Sequence, residues 1–462
     1  MHSTNFSTLN LKPALFENLA SLGYHEMTPI QAQTLPLVVS GKDVIGQGKT
    51  GSGKTAAFAL GLLQRLDVKR FRIQSLVLCP TRELAEQVAK DIRTLARGIH
   101  NIKVLTLCGG TPMGPQIGSL EHGAHIIVGT PGRLEDHLFR GRLKLDDVNT
   151  LVLDEADRML DMGFQAALDN IMEQCPVERQ TLLFSATFPD KIQKIADSFM
   201  KQPALVKVAS VHKENAITQA FYHLENSNAR YDATKRLLLA KQAQSAVIFA
   251  NTKVEVHELY QRLVEDGFSV LALHGDLEQR ERNETLLRFA NQSSLILVAT
   301  DVAARGLDID DLDMVINYHL TPDTEVHVHR IGRTGRAGAK GIACSLYTDR
   351  DTRKIADLET YFDIVIEPTQ LPDESILATQ PPKANMVTIQ IDGGKKQKLR
   401  PGDIVGGLTG KQGIKGDQIG KIQVTDLKAY VAVQSNVAKT ALKKIERDKM
   451  KGRTFRARLM TW

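Results

Sequence analysis

The stretch Lys42–Leu66, KDVIGQGKTGSGKTAAFALGLLQRL, decides the architecture of the first part of the chain. "KDVIGQ" has the apolar centre of a buried strand, and "TAAFALGLLQRL" repeats apolar residues at helical spacing. Two Gly-Lys-Thr triplets lie between them. Only the second completes G-x-x-x-x-G-K-[ST], as Gly48-Lys49-Thr50-Gly51-Ser52-Gly53-Lys54-Thr55; the first would need glycine at position 43, which is Asp43. Glycines let backbone N–H groups turn inward around phosphates. Lys54 adds charge for the β- and γ-phosphates, and the Thr55 hydroxyl suits Mg²⁺. The order strand, loop, helix implies a nucleoside triphosphate site. It does not separate kinases, GTPases and motor ATPases.

Working outward, "SLVLCP" (75–80), "HIIVGTP" (125–131), "TLVLDEAD" (150–157) and "TLLFSAT" (181–187) are short apolar runs between helical patterns. Such runs predict a parallel α/β sheet covered on both faces, with functional residues at the strands' carboxyl ends. The style repeats in "AVIFANT" (246–252), "VLALHGD" (270–276), "LILVATD" (295–301) and "MVINYHL" (314–320). Val77 and Val247 begin similar strands 170 residues apart, as do Val128 and Val298. Two related α/β lobes explain the repeat; chance likeness of generic strands is the alternative. Residues 369–385 hold three prolines and little periodicity, as a linker or wrapping segment would. Residues 386–462 then read β-α-β-β-α-β. In the last of those strands Phe455, Ala457 and Leu459 are expected in the core, with Arg456 and Arg458 outside.

The chain has 462 residues, room for about three domains at roughly 100–200 residues each. Hydrophobic residues make up 42% and charged residues 24%, a globular profile. No apolar run approaches the ~18 residues of a membrane span. "MHSTNFSTLNLKPALF" lacks a basic start followed by an apolar block, so no signal peptide is expected. Cys79, Cys108, Cys175 and Cys344 lie far apart without paired metal spacing. Free thiols in a reducing, cytoplasmic compartment are the expectation. The net charge of +6 is uneven. Residues 384–462 carry 17 Lys and Arg against 6 Asp and Glu, a net of +11, which leaves −5 for the rest. That asymmetry points to a polyanion partner for the last portion, against the plainer reading of a solvated basic face.

"VLDEAD" narrows the chemistry. Asp154, ending an apolar strand, can hold Mg²⁺ through water, and Glu155 can orient and deprotonate an attacking water. The pair implies hydrolysis rather than transfer to an alcohol. "HRIGRTGRAG" (329–338) supplies positive charge. Arg333 and Arg336 are three apart, so on a helical turn both face one point and suit arginine fingers.

Together these residues resemble the DEAD-box RNA helicases of superfamily two, over roughly residues 1–365. Asp154-Glu155-Ala156-Asp157 is the name-giving motif. "GYHEMTPIQ" (23–31) resembles the adenine-reading Q motif, with Gln31 as the amide, Phe6 as its upstream aromatic and Tyr24 placed to stack on the base. "PTRELA" (Pro80, Thr81, Arg82), the Gly109-Gly110 pair and "TPGR" (Thr130, Arg133) match RNA-contact motifs. "SAT" (Ser185, Ala186, Thr187) matches the segment coupling ATP state to RNA separation. "ANT" with Thr252, "HGDLEQRER" with Gly275 and Gln279, "ATDVAARGLD" with Thr300 and Asp308, and "HRIGRTGR" follow in order. The resemblance implies that Gln279 and His329 place the water or link it to Glu155, and that Asp308 contacts the ribose. The family usually has alanine where this chain has Gly48. The implied architecture is α/β, with two tandem RecA-like parallel-sheet domains at 1–208 and 215–368. The implied cofactors are ATP and Mg²⁺. ATP and single-stranded RNA close the lobes, a bound strand is bent, and hydrolysis reopens them without long-range translocation.

After the linker at 369–385, the segment 386–462 resembles a small α+β RNA recognition motif (RRM-like). Only Tyr430, in "KAYVAV", is retained as a platform aromatic, so basic loops gripping structured RNA are expected to matter more than stacking. "IDGGKKQKLRPGD", "IGKI" and "YVAV" extend the likeness to the DbpA subfamily over the full length. It implies a monomer bound to 23S ribosomal RNA at the hairpin 92 region, near the peptidyl-transferase centre, on pre-50S particles. Lys395, Lys396, Lys398, Arg400, Tyr430, Lys451 and Arg453 are its candidate contacts. In "IDGGKKQKLRPGD" the glycine pair is expected to turn out of a strand and Pro401 to open a helix, which makes the lysines a presented loop. An ATP-gated clamp that does not unwind, and a general helicase with a nonspecific basic tail, share every motif.

Overall fold

The computed structural model describes residues 4–48, 51–188, 190–208, 217–304, 312–335, 341–410 and 413–460. Lys49, Thr50, Asp308 and Arg336 lie outside the described residues.

The first lobe has seven parallel strands: β1 Val44–Gln47, β2 Ser75–Leu78, β3 Val104–Leu107, β4 Ile126–Gly129, β5 Thr150–Asp154, β6 Gln180–Ser185 and β7 Ala204–Lys207, in the order β3-β4-β2-β5-β6-β1-β7. The central strands are buried along their length, as their unbroken apolar runs require. One apolar layer lies on each face. Leu15, Leu35, Phe58 and Val88 belong to one, and Leu134, Leu151, Leu168 and Ile195 to the other.

The second lobe has β8 Ile217–His223, β9 Ala246–Ala250, β10 Val270–Leu273, β11 Ile296–Thr300, β12 Met314–Asn317 and β13 Gly341–Tyr347, in the order β10-β11-β9-β12-β13-β8. Matching strand by strand, this is the first lobe's order without its β7 edge. Val77 and Val247 sit on the equivalent strands β2 and β9, and Val128 and Val298 on β4 and β11. The 170-residue repeat is therefore structural.

The third sheet is antiparallel: β14 Met386–Ile391, β15 Ile419–Val424, β16 Ala429–Gln434 and β17 Ala457–Leu459, in the order β15-β16-β14-β17. Helices Pro401–Thr409 and Ala438–Arg447 give the β-α-β-β-α-β order. Phe455, Ala457 and Leu459 pack on its core. The first sheet lies in one compact unit, and the second and third sheets lie together in the other. Residues 369–385 wrap rather than dangle. Leu371, Ile376, Leu377 and Ala384 pack on the second lobe's core, and Arg236 donates to the Pro372 carbonyl. No helix among the described residues is long and apolar enough to cross a membrane.

Candidate nucleotide and RNA site

The phosphate loop leaves β1 and enters helix Lys54–Arg65 through Gly53, whose φ of 93° is left-handed. Lys54 Nζ is buried and donates to the Gly48 carbonyl. The lysine is thus folded into its own loop, at the place a phosphate oxygen would compete for. A Cβ at Gly48 would stand 3.1 Å from Ser52 Oγ, close but movable, so the departure from alanine is sterically minor.

Gln31 is 3% exposed. Its Oε1 accepts from the Thr28 N–H (2.9 Å) and its Nε2 donates to the Gly53 carbonyl (3.0 Å). The amide is therefore also a bridge to the phosphate loop, with one N–H and one lone pair left over. Phe6, the upstream aromatic, is buried in the core and meets Tyr24 edge-on at 6.4 Å. Tyr24 remains the exposed ring, at 38%.

β6 lies between β1 and β5, with Gln47 in register with Ser185 and Asp154 with Phe184. The phosphate loop, the carboxylate pair and Ser185-Ala186-Thr187 thereby meet at one carboxyl edge. Gly48 N–H donates to the Ser185 carbonyl (3.0 Å) and Gln47 Nε2 to the Ala186 carbonyl (3.4 Å). Asp157 Oδ2 accepts from both the Thr187 N–H (3.0 Å) and the Thr187 hydroxyl (2.9 Å). Glu155 adopts φ 52°, ψ 52° just before helix Ala156–Asp161. Such a conformation costs about 1–3 kcal/mol outside glycine.

Asp154 is 3% exposed. Burial, then the Glu155 charge, push its carboxyl up to about 7, against the opposing pull of Lys54. One buried carboxylate with the Thr55 hydroxyl nearby in the motif is a hard-oxygen set of the kind Mg²⁺ takes together with phosphates. The raised carboxyl has a consequence for stability. Between an ordinary carboxyl value and about 7 the folded state binds the extra proton, so stability falls as pH rises through that window. Asp154→Asn is expected to raise the first lobe's melting temperature by a few degrees above about pH 8, with the gain fading below about pH 5. Thermal unfolding without nucleotide checks this; a pH-independent effect would contradict it.

The other half of the same edge gathers the segments that resemble RNA-contact motifs, at the ends of the adjacent strands β2, β4 and β3. Thr81 Oγ1 accepts from the Leu84 N–H (3.3 Å), capping helix Arg82–Leu95. The Arg82 guanidinium lies over Gly109-Gly110. Gly110 has φ 70°, and a Cβ there would overlap Arg82 Nη1. Thr130 precedes helix Pro131–Phe139, and Arg133 Nη1 donates to the Thr111 carbonyl (3.2 Å).

In the second lobe Thr252 and Glu255 form a reciprocal cap on helix Lys253–Glu265. Gly275 is exposed after β10, and Thr300 ends β11 with its hydroxyl accepting from the Ala303 N–H (3.3 Å). Gln279 opens helix Gln279–Ala290. His329 lies in the last turn of helix Thr324–Ile331, but Arg333 lies beyond that helix, in the following turn. Its expected partner Arg336 lies outside the described residues. Gly332 ends the helix first. Sequence reading passed over Arg330. It is buried, grips Asp301 at 2.6 and 2.7 Å, and donates to the His319 carbonyl (2.7 Å), tying this helix to the end of β11.

The third sheet turns one face onto the second lobe. Thr388 Oγ1 meets the Ser293 hydroxyl at 2.7 Å and the Asn291 amide at 2.9 Å. Lys421 Nζ donates to the Ala290 carbonyl (3.0 Å). Tyr430 is 7% exposed, its hydroxyl 3.5 Å from Glu284 Oε1 on helix Gln279–Ala290. Tyr430 is thus covered at this contact, in keeping with the expectation that stacking matters less here than basic loops. Burial, with Glu284 adding to it, pushes its phenol up to about 12. Lys395, Lys396, Lys398 and Arg400 stay exposed, as do Lys451 and Arg453. Leu399 pins their loop into the core. Lys395 N–H donates to the Thr425 carbonyl (2.9 Å) and Lys396 N–H to the Asp426 carbonyl (3.0 Å). A Cβ on Gly394 would strike that Thr425 carbonyl at 2.3 Å, so the glycine is required by close approach. Pro401 opens the next helix as expected. Lys451 Nζ lies 3.5 Å from Asp403, which brings the 451–453 turn beside the loop.

A phosphate loop facing an Asp-Glu pair on a RecA-like sheet defines the first lobe as that of a nucleoside triphosphatase. Comparison with known proteins gives the family. The DEAD/DEAH box helicase family matches residues 28–195, the helicase conserved C-terminal domain residues 229–338, and the DbpA RNA binding domain residues 388–459. The chain is 52% identical over 458 residues to the ATP-dependent RNA helicase DbpA of Escherichia coli (strain K12), covering 99% of this chain and 100% of that protein. It is 44% identical over 356 residues to the DEAD-box ATP-dependent RNA helicase CshA of Geobacillus kaustophilus (strain HTA426), covering 77% of this chain and 76% of the relative. Among solved structures, S. cerevisiae Dbp5 bound to RNA and ADP BeF3 matches with a TM-score of 0.73 and 31% identity, over 81% of this chain and 99% of that one. The chain belongs to the DEAD-box ATP-dependent RNA helicases, and within them to the DbpA type.

Proposed function

We propose that this RNA helicase couples RNA-stimulated ATP hydrolysis to local, non-processive strand separation, and that its C-terminal domain directs it to the 23S ribosomal RNA hairpin 92 region of pre-50S particles, assisting large-subunit assembly. It acts as a cytoplasmic monomer, with domains at 1–208, 215–368 and 386–462. Glu155 is the general base. Gln279 and His329 position the water, Arg333 and Arg336 stabilise the transferring phosphoryl group, and Asp308 holds the ribose. Thr55 and Asp154 would hold Mg²⁺, which supplies charge neutralisation on the phosphates when bound. Thr81, Arg82, Thr130, Arg133, Thr252 and Thr300, with Gly110 and Gly275, grip backbone without reading sequence.

The observation that carries the targeting reading is the C-terminal domain's two-sidedness. Its sheet face is closed against the second lobe through Thr388 and Tyr430, while the loop 395–400 and the turn 451–453 stay exposed and basic. The loops are then the surface left to read RNA shape. ATPase stimulation by a ribosomal fragment carrying the hairpin, compared with unrelated RNA and with and without residues 384–462, tests it. The full chain is expected to prefer the ribosomal fragment by about 10-fold or more, as a specific contact of one to a few kcal/mol would give, and the truncated chain to lose the preference. Equal stimulation of the full chain by both RNAs would end the targeting proposal.

A further inference from the structure

Two RNA-facing loops of the first lobe are joined by a buried polar chain outside every motif. His137, 0% exposed, lies on helix Pro131–Phe139, one turn after Arg133. Gln116, 7% exposed, lies on helix Met113–Glu121, which follows the Gly109-Gly110 turn. Gln116 Nε2 donates to the Cys108 carbonyl (2.9 Å) and to Thr111 Oγ1 (2.6 Å). Both amide hydrogens are then used, so its Oε1 is left to accept. His137 Nε2 stands 3.0 Å from that oxygen. The imidazole therefore carries its proton on Nε2, and Nδ1 is buried without a hydrogen-bond partner among the described residues. Burial, then the Arg133 charge, lower the His137 pKa, which keeps the ring neutral.

Thr111 closes the chain. Its hydroxyl donates to the Cys108 carbonyl (3.0 Å), and its own carbonyl accepts from Arg133 Nη1 (3.2 Å). The turn beneath Arg82 and the helix carrying Arg133 are thus tied twice: directly by Arg133 to Thr111, and underneath by His137 through Gln116. The first tie uses a side chain assigned to RNA phosphate, which leaves Thr111 when it binds RNA. The second tie is sealed from solvent and survives that exchange.

We propose that Gln116 and His137 are positioning residues that hold the Gly109-Gly110 turn in register with the Thr130–Arg133 helix start, so that both grip the same RNA backbone. This rests on the assignment of those two loops to RNA. Neither residue touches RNA, and neither lies at the nucleotide end of the sheet. A buried polar pair that only filled the core would affect stability and leave RNA recognition in proportion to the folded fraction.

The test is ATPase activity of the full chain, titrated with RNA, in His137→Leu, Gln116→Leu, the double variant and His137→Gln. The glutamine amide can still donate to Gln116 Oε1. His137→Leu is expected to raise the RNA concentration for half-maximal stimulation by roughly tenfold, the scale of one lost buried hydrogen bond, and Gln116→Leu, which also loses its bonds to Cys108 and Thr111, by at least as much. Turnover at saturating RNA and the KM for ATP should stay unchanged. The double variant should be little worse than Gln116→Leu alone, since that variant already removes the bond to His137, and His137→Gln should recover most of the loss of His137→Leu. Unchanged RNA half-saturation in soluble, cooperatively melting His137→Leu would overturn the proposal. So would a loss of turnover at saturating RNA that follows the melting temperature, or no recovery in His137→Gln. Arg133→Ala sets the scale. If it weakens RNA while His137→Leu does not, the positioning inference alone fails; if Arg133→Ala has no effect, the RNA assignment of these loops fails first.

Discussion

Glu155→Gln is expected to lower steady-state ATP turnover by roughly 10²–10⁴-fold, the usual contribution of a positioned general base. It should leave ATP and RNA binding intact. The geometry makes this substitution clean. Glu155 holds a left-handed backbone conformation directly after β5. Glutamine pays the same conformational cost and keeps the side chain's length, so the loss isolates proton abstraction. Asp157 carries the link to Thr187, so the coupling segment is untouched. With hydrolysis blocked, the ATP- and RNA-bound state has no chemical exit and should accumulate. RNA dissociation in ATP should slow markedly against wild type, while dissociation in ADP should match it. Single-turnover phosphate release, followed beside RNA dissociation, checks both halves. Turnover within about threefold of wild type would remove Glu155 as the base, because so small a change lies far below that contribution.

The buried central strands were legible because a parallel sheet covered on both faces demands unbroken apolar runs. β3 and β7 were not, because they edge the first sheet and carry half-exposed residues. β13 was also passed over, although Ile342, Ala343, Cys344 and Leu346 of "GIACSLY" are apolar and its centre is buried. The phosphate loop and the Asp-Glu pair were legible because their chemistry fixes both residue type and spacing. Spacing could not say which polar groups were already satisfied. Gln31 is engaged by Gly53, 22 positions away, and Phe6 is sunk in the core; both depend on tertiary packing that a motif does not encode, whereas the bond of Gln31 to Thr28 is a local helix cap. Arg330 was adjacent to named residues, yet its role needs Asp301, 29 positions away. Tyr430 is the sharpest case. An aromatic on a platform strand signals stacking only if the platform is open, and here Glu284, Asn291 and Ser293 of the second lobe stand against that face.

That covered face sharpens the second large prediction. Replacing Lys395, Lys396, Lys398 and Arg400 together by glutamine is expected to lower affinity for the hairpin RNA by roughly 100-fold near 0.1 M salt. It should also flatten the slope of log K against log salt by about 0.9 for each duplex phosphate contact removed, up to about 3.6 if all four engage phosphate. The loop's shape should survive the change. It is held by Leu399 in the core and by backbone bonds to Thr425 and Asp426, none of which uses an ammonium or guanidinium group. The Arg400 N–H donates to Asp403 through the backbone, which glutamine keeps. The contrast with Tyr430 is what gives the experiment its force. Tyr430→Leu exchanges a covered ring, so it should leave the salt slope unchanged and act, if at all, through the contact with Glu284. RNA binding measured over a salt series for both variants separates a loop reader from a platform reader. Loss of affinity in Tyr430→Leu with an unchanged slope in the four-site variant would reverse the assignment, because a stacking platform loses contacts that salt does not weaken while a basic loop loses those that it does.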